Sequence, residues 1–258
     1  MKIVKIKKLS NSKYKVKLDN EDFITFDNVI LKNGLLYKKE ISSKELLELK
    51  KETLYYEVYN KTLKYCTNKI RSKNEVLKYI NKYNINNVDK ICIIKKLEEL
   101  NFINDIKFTK AFINDKIHLS KYGINKIKIL LKENKIDENI INEELNKVNF
   151  SEVNLNLENK IKKKINNNSK YSNYELKQKL LNEYIKDGYM KNDIILFIDK
   201  YLKDDYEILV KEFEKLYNKY KVKYETNVLK IKIKQKLIQR GFNIEYINEL
   251  INKKQGNN

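Results

Sequence analysis

Two spacings of hydrophobic residues divide the chain. Up to residue 42 the stretches "KIVKIKKL", "KYKVKL" and "DFITF" alternate apolar and polar, the period-2 pattern of half-buried strands. "DNED" (19–22) has the chemistry of a turn between two of them, and Asn33-Gly34 is a further turn signal. The pattern predicts a small antiparallel sheet of about three strands, packed on the helix that follows because so small a sheet is marginal alone. From Ser43 onward the spacing changes to that of helices.

The helical part repeats itself. "EVLKYINKYNI" (75–85), "KIKILLKENKI" (126–136), "ELKQKLLNEYI" (175–185) and "KIKQKLIQRGF" (232–242) each carry an aliphatic, another four residues on, and an apolar residue five further. The sets are Val76, Ile80 and Ile85; Ile127, Leu131 and Ile136; Leu176, Leu180 and Ile185; Ile233, Leu237 and Phe242. The first two of each share a helix face, and the third sits where the chain folds back. Ser72 with Glu75, and Ser172 with Glu175, match a capping box. Asn84, Asn134, Asp187-Gly188 and Gly241 read as stops.

A helix precedes each copy and another follows it. The following helices are expected to bury Val88, Ile91, Ile94 and Leu97; Ile140, Ile141, Leu145 and Val148; Ile194, Ile195, Ile198 and Leu202; Ile244, Ile247, Leu250 and Ile251. The reading is mainly α: tandem three-helix repeats in an elongated curved array behind a small N-terminal antiparallel β segment. Its divisions are 1–42 for the β segment, then repeats at 43–103, 104–150, 151–203 and 204–254. One such unit buries few large side chains, each contributing about 1.5–3 kcal/mol. Ordering costs about 1–2 kcal/mol per residue, so neighbours must cover one another's faces.

Composition sharpens this picture. The chain has 258 residues, no proline and 5 glycines, as long helices require. Its net charge is +20, which attracts polyanions such as nucleic acid or an acidic protein surface. A lysine-rich composition from an AT-rich genome accounts for part of that excess. There are only two arginines, Arg71 and Arg240, so bidentate base reading is weakly provided for. No signal peptide and no apolar run of membrane-spanning length stand out. Cys66 and Cys92 lack metal or redox spacing and read as reduced core thiols. A soluble, cytoplasmic monomer is expected, with no membrane contact.

No phosphate loop or dinucleotide fingerprint is present. His118 is the only histidine and reads as a helix end. The pairs Glu98-Glu99, Glu143-Glu144 and Asp204-Asp205 read as solvated. The tyrosines at helical spacing, Tyr55, Tyr56, Tyr59 and Tyr65, then Tyr217, Tyr220 and Tyr224, read as core or groove lining. The chain is therefore expected to be no enzyme and to need no metal or cofactor. Basic clusters are the binding candidates: Lys69, Arg71 and Lys73 at a helix junction; Lys121 and Lys126 around the start of the second copy; Lys162, Lys163, Lys164 and Lys170; Lys230, Lys232, Lys234, Lys236 and Arg240.

The stretch 97–136 resembles the RecX family, regulators of the RecA recombinase. Leu97, Leu100, Phe102, Ile103, Asp105, Phe108, Ala111, Phe112, Gly123, Ile127, Leu131 and Ile136 carry the likeness, with "RSKNEVLKYI" (71–80) upstream. It covers roughly residues 70–148, the later copies matching more weakly. The resemblance implies three-helix repeats that bind in the groove of a RecA–single-stranded DNA filament. It also implies that they limit strand exchange, ATP hydrolysis and co-protease activity. It offers no catalytic residues. The alternative reading is a general lysine-rich helical protein that binds free DNA.

Overall fold

A computed structural model describes residues 1–9 and 12–256. The chain is mainly α, with thirteen helices among the described residues and one N-terminal three-stranded antiparallel sheet. It divides into two units: Met1–Ala111 with Asn134–Ile140, and Phe112–Glu133 with Ile141 onward.

In the first unit, β1 (Ile3–Lys8), β2 (Lys13–Leu18) and β3 (Asp22–Phe26) lie in the order β1-β2-β3. Ile6 stands opposite Val16, and Val16 opposite Phe23. This register turns Ile6, Val16 and Phe23 to one side, where Val29, Ile30, Leu35, Leu46 and Leu49 cover them. A short helix, α1 (Asp27–Lys32), follows β3, and the alternating pattern did not announce it. Asn33-Gly34 therefore ends a helix. The Gly34 N–H donates to Leu31 O at 3.1 Å, the Leu35 N–H donates to Ile30 O at 3.0 Å, and Gly34 takes φ +58°.

Helix α2 (Ser43–Asn68) opens on a capping box formed by Ser42 and Glu45. Helices α3 (Lys73–Ile80) and α4 (Asn87–Glu99) complete a core of Val58, Val76, Ile80, Ile93, Ile94, Leu97 and Ile103. Tyr55, Tyr59 and Tyr65 pack against it. The expected burial of Val88 and Ile91 is corrected: they are 69% and 66% exposed. Three-residue steps drift by about 60° each on a 3.6-residue turn, which puts Val88 half a turn away from Leu97. Cys66 is buried, and burial pushes its thiol up to about 11; Cys92 is exposed, not a core thiol. One thiol, Cys92, is therefore expected to react with iodoacetamide in the native protein under mildly alkaline conditions. Mass spectrometry should find Cys66 modified only after unfolding.

The remaining helices are α5 (Asp105–His118), α6 (Ile124–Glu133), α7 (Glu138–Asn146), α8 (Phe150–Asn166), α9 (Asn173–Lys186), α10 (Lys191–Tyr201), α11 (Tyr206–Tyr220), α12 (Thr226–Gln239) and α13 (Ile244–Gly256). Helix α8 buries Val153, Leu157, Ile161 and Ile165 at every fourth position. Helices α11 to α13 close around Leu209, Phe213, Leu229, Ile233, Leu237 and Ile247. Ile244, expected in that core, is half-exposed at the start of α13.

All four apolar pairs of the repeated motif are buried, but the third copy is out of register. Ile185 is 47% exposed. Left-handed residues mark the true phase: Lys135, Gly188 and Gly241 have φ of +56°, +89° and +77°. Each precedes a buried residue, respectively Ile136, Tyr189 and Phe242. Tyr184 is thus the counterpart of Leu131 and Leu237, and Tyr189, not Ile185, folds back. A slip of one helical turn preserves the four-residue spacing, so the sequence pattern alone is blind to it.

Two second helices are closed at their N-termini by an aspartate 32 residues further on. The Lys73 N–H donates to Asp105 at 2.8 Å, and the Asn173 N–H to Asp205 at 2.7 Å. Asp205 and Glu144 are buried, not solvated as expected; Glu144 pairs with Lys147. Asp205→Ala leaves an open donor at the start of α9 and should cost about 1–2 kcal/mol. Thermal unfolding should show it as a loss of roughly 5 °C.

In the second unit, loops join in a repeated way. The Gly123 N–H donates to Asp187 O at 2.9 Å and the Asn125 N–H to Gly188 O at 3.1 Å. Tyr189 Oη and Lys160 Nζ both donate to Lys121 O at 2.7 Å. At the next joint the Ser172 hydroxyl donates to Arg240 O, and Arg240 Nη2 to Lys170 O at 2.7 Å. The loop before one second helix thus fastens onto the loop after the next.

Candidate polyanion interface

Helix α8 presents its buried stripe to the second unit's core, which leaves Lys162, Lys163 and Lys164 exposed on its other sides. Lys163 and Lys164 lie in its last turn, where cations suit the helix dipole. Asn168 then turns the chain. Its side-chain oxygen accepts from the Tyr171 N–H at 3.0 Å, and its amide donates to Tyr171 O at 2.7 Å. This turn holds Lys170 and Tyr171 across from the end of α8.

A cleft of 460 Å³ lies between the end of α8, this loop and α9, lined by Lys160, Lys163, Lys164, Lys170, Tyr171 and Glu183 among others. Lys160 is committed to the joint, through Lys121 O and Asp187. Lys164 pairs with Glu183 at 3.2 Å. Lys163 and Lys170 have no acidic partner among the described residues. Lys179 Nζ lies 3.8 Å from the centre of the Tyr171 ring. Its hydrogen bond and charge hold the Tyr171 phenol below its ordinary value. The arrangement suits an anion with several oxygens: lysines line one cleft, and two of them, Lys163 and Lys170, have no acidic partner among the described residues.

The expected site residues divide by fate. Lys162, Lys163, Lys164 and Lys170 share this region; Lys162 Nζ rests 5.4 Å from the Tyr201 ring centre. Lys121 and Lys126 flank the joint: Lys121 has φ +51°, and the Lys126 backbone abuts Gly188. Lys230 and Lys234 are half-buried on α12, while Lys232 and Lys236 are exposed. Alternation that would align lysines on a strand distributes them around a helix. In the first unit Lys69 ends α2, and Lys73 pairs with Glu98 at 2.8 Å.

Both arginines are engaged within the chain. Arg71 stacks 4.4 Å from the centre of the Tyr65 ring, and Tyr65 stacks on Tyr79 at 4.2 Å. Arg240 grips Glu175 at 3.0 Å and Glu212 at 2.9 Å. Glu175 is thereby drawn from the capping box expected with Ser172, whose hydroxyl still accepts from the Glu175 N–H. His118 ends α5 beside Glu152, with Nδ1 and Oε1 2.7 Å apart. Sequence reasoning missed Asn168, Tyr171 and Lys179. Asn168 lies in a run of asparagines, and only the fold sets Lys179 over the ring. Among the described residues no cluster of His, Cys, Asp and Glu could hold a metal, and no helix is long and apolar enough to cross a membrane.

Comparison with known proteins gives a consistent answer. A family model described as the third three-helix domain of RecX matches residues 203–251, which takes in α11, α12 and the first part of α13. The regulatory protein RecX of Streptococcus agalactiae is 31% identical over 255 residues, covering 96% of this chain and 97% of that protein. The protein of the same name from Streptococcus gordonii is 28% identical over 261 residues, covering 97% and 98%. A crystal structure of a regulatory protein RecX shares the fold with a TM-score of 0.63 at 18% identity, over 77% of this chain and all of that one. That of RecX from Lactobacillus salivarius gives 0.52 at 23% identity, over 57% and 96%. With relatedness along nearly its whole length, the chain belongs to the RecX family of regulatory proteins.

Proposed function

We propose that the chain is a non-enzymatic modulator of the RecA recombinase that binds the groove of a RecA–single-stranded DNA filament and limits strand exchange, ATP hydrolysis and co-protease activity. Family membership supports a regulatory role. The observation that carries the contact with the filament is the cleft at the end of α8, where Lys163 and Lys170 face an open space without acidic partners. We take the chain to act as a cytoplasmic monomer built of four three-helix repeats, 43–103, 104–150, 151–203 and 204–254. Successive joints would then set the stagger with which repeats follow a helical partner.

General duplex reading is the weaker account. Sequence-specific contacts draw mainly on arginine, and Arg71 and Arg240 are both held by neighbours in the chain. The test titrates the protein into RecA filaments on single-stranded DNA while ATP turnover and strand exchange are followed. Inhibition is expected at or below one chain per RecA protomer. Undiminished turnover at that ratio, with tight duplex binding in the absence of RecA, would favour the alternative.

A further inference from the structure

The outer face of the N-terminal sheet carries a charge pattern unrelated to packing. Lys5 and Lys7 on β1, and Lys13, Lys15 and Lys17 on β2, are all exposed. The register sets Lys5 directly opposite Lys17 and Lys7 directly opposite Lys15. Like charges placed directly opposite one another weaken a sheet. On this face the acidic counterpart is Asp22, 2.9 Å from Lys15 Nζ. Lysine on an edge strand guards against unwanted pairing, which accounts for Lys5 and Lys7. It does not account for Lys13, Lys15 and Lys17, because β2 is the central strand.

We propose that this face is a docking platform for the sugar–phosphate backbone of one nucleic-acid strand. Alternate residues on β2 stand about 6.8 Å apart, close to the spacing of consecutive phosphates along a strand. Lys13, Lys15 and Lys17 therefore form a row whose pitch matches the ligand, and Lys5 and Lys7 run beside it. A phosphate between Lys7 and Lys15, or between Lys5 and Lys17, relieves the repulsion that the bare sheet carries. The exposed Ile24 beside Lys15 gives a base or sugar an apolar surface. This face is built from residues of the first unit alone and is independent of the RecA reading.

The test uses the full chain and a fluorescein-labelled oligothymidylate, with anisotropy read at graded salt. One variant replaces Lys5, Lys7, Lys15 and Lys17 with glutamine. A control replaces four exposed lysines elsewhere in the first unit, Lys44, Lys51, Lys95 and Lys110. Each lost phosphate contact flattens the salt dependence by about 0.7, so the sheet variant, which removes both paired phosphate seats, is expected to lose about 1.4 in slope and the control much less. Equal losses in both would reduce the effect to net charge and overturn the proposal. Unchanged oligonucleotide binding with weakened binding to RecA would assign the face to a protein partner and overturn it equally. The sheet variant should melt no lower than the parent; a lower melting temperature would show that these lysines hold the sheet together.

Discussion

Gly188→Ala is expected to destabilise the second unit by about 2–5 kcal/mol. Gly188 has φ +89°, where an L side chain costs about 1–2 kcal/mol. A methyl group there would lie 2.2 Å from the Lys126 backbone nitrogen. The obstacle is main chain within α6, which cannot rotate aside as a side chain can. Relief requires the joint with the 121–125 loop to open, adding about 1–3 kcal/mol of overpacking. Gly34→Ala is the matched control: its φ is +58°, but nothing lies within 4 Å of the added atom. It should cost only about 1–2 kcal/mol. Thermal unfolding and amide exchange at Gly123 and Asn125 would report the difference. Equal melting temperatures and intact protection at those amides would refute the joint.

Reversing Lys162, Lys163 and Lys164 to glutamate is expected to weaken binding to single-stranded DNA, bare or within a RecA filament, by on the order of 10- to 100-fold at low salt. The slope against the logarithm of salt should flatten by about 2, three contacts being lost. The fold should survive, because all three side chains lie outside the buried stripe of α8. The cost is local: Lys164→Glu sets a carboxylate against Glu183, and both new anions in the last turn oppose the helix dipole. Circular dichroism should match the parent, while inhibition of filament ATP turnover should require correspondingly more protein. Full affinity at low salt would remove this face of α8 from the interface.

Much of the fold is legible in the sequence because side-chain burial imposes a period. The strand alternation around Val16 and Phe23, the Ser72 cap and the apolar pairs from Val76–Ile80 to Ile233–Leu237 all follow from one face being covered. What the pattern could not supply depends on phase or on distant partners. A one-turn slip hid Tyr184 and Tyr189 behind Ile185. Three-residue spacing kept Val88 in line with Leu97 on paper, while a 3.6-residue helix turns it to solvent. The candidate site was half visible. The lysines of α8 stood out as a cluster, but Lys179 over Tyr171, and the capture of Arg240 by Glu175 and Glu212, need the fold to bring them together.

The two loop joints of the second unit have a bearing on divergence. One sets Gly123 against Gly188, the other Ser172 and Tyr174 against Arg240 and Gly241, yet both close largely through peptide carbonyls. Selection on such a contact acts on backbone path, on the glycines and on the few side chains that donate to those carbonyls, Lys160, Ser172, Tyr189 and Arg240, leaving the other flanking side chains free to drift. The stagger between successive helical triplets can then be inherited after most residue identities have been lost.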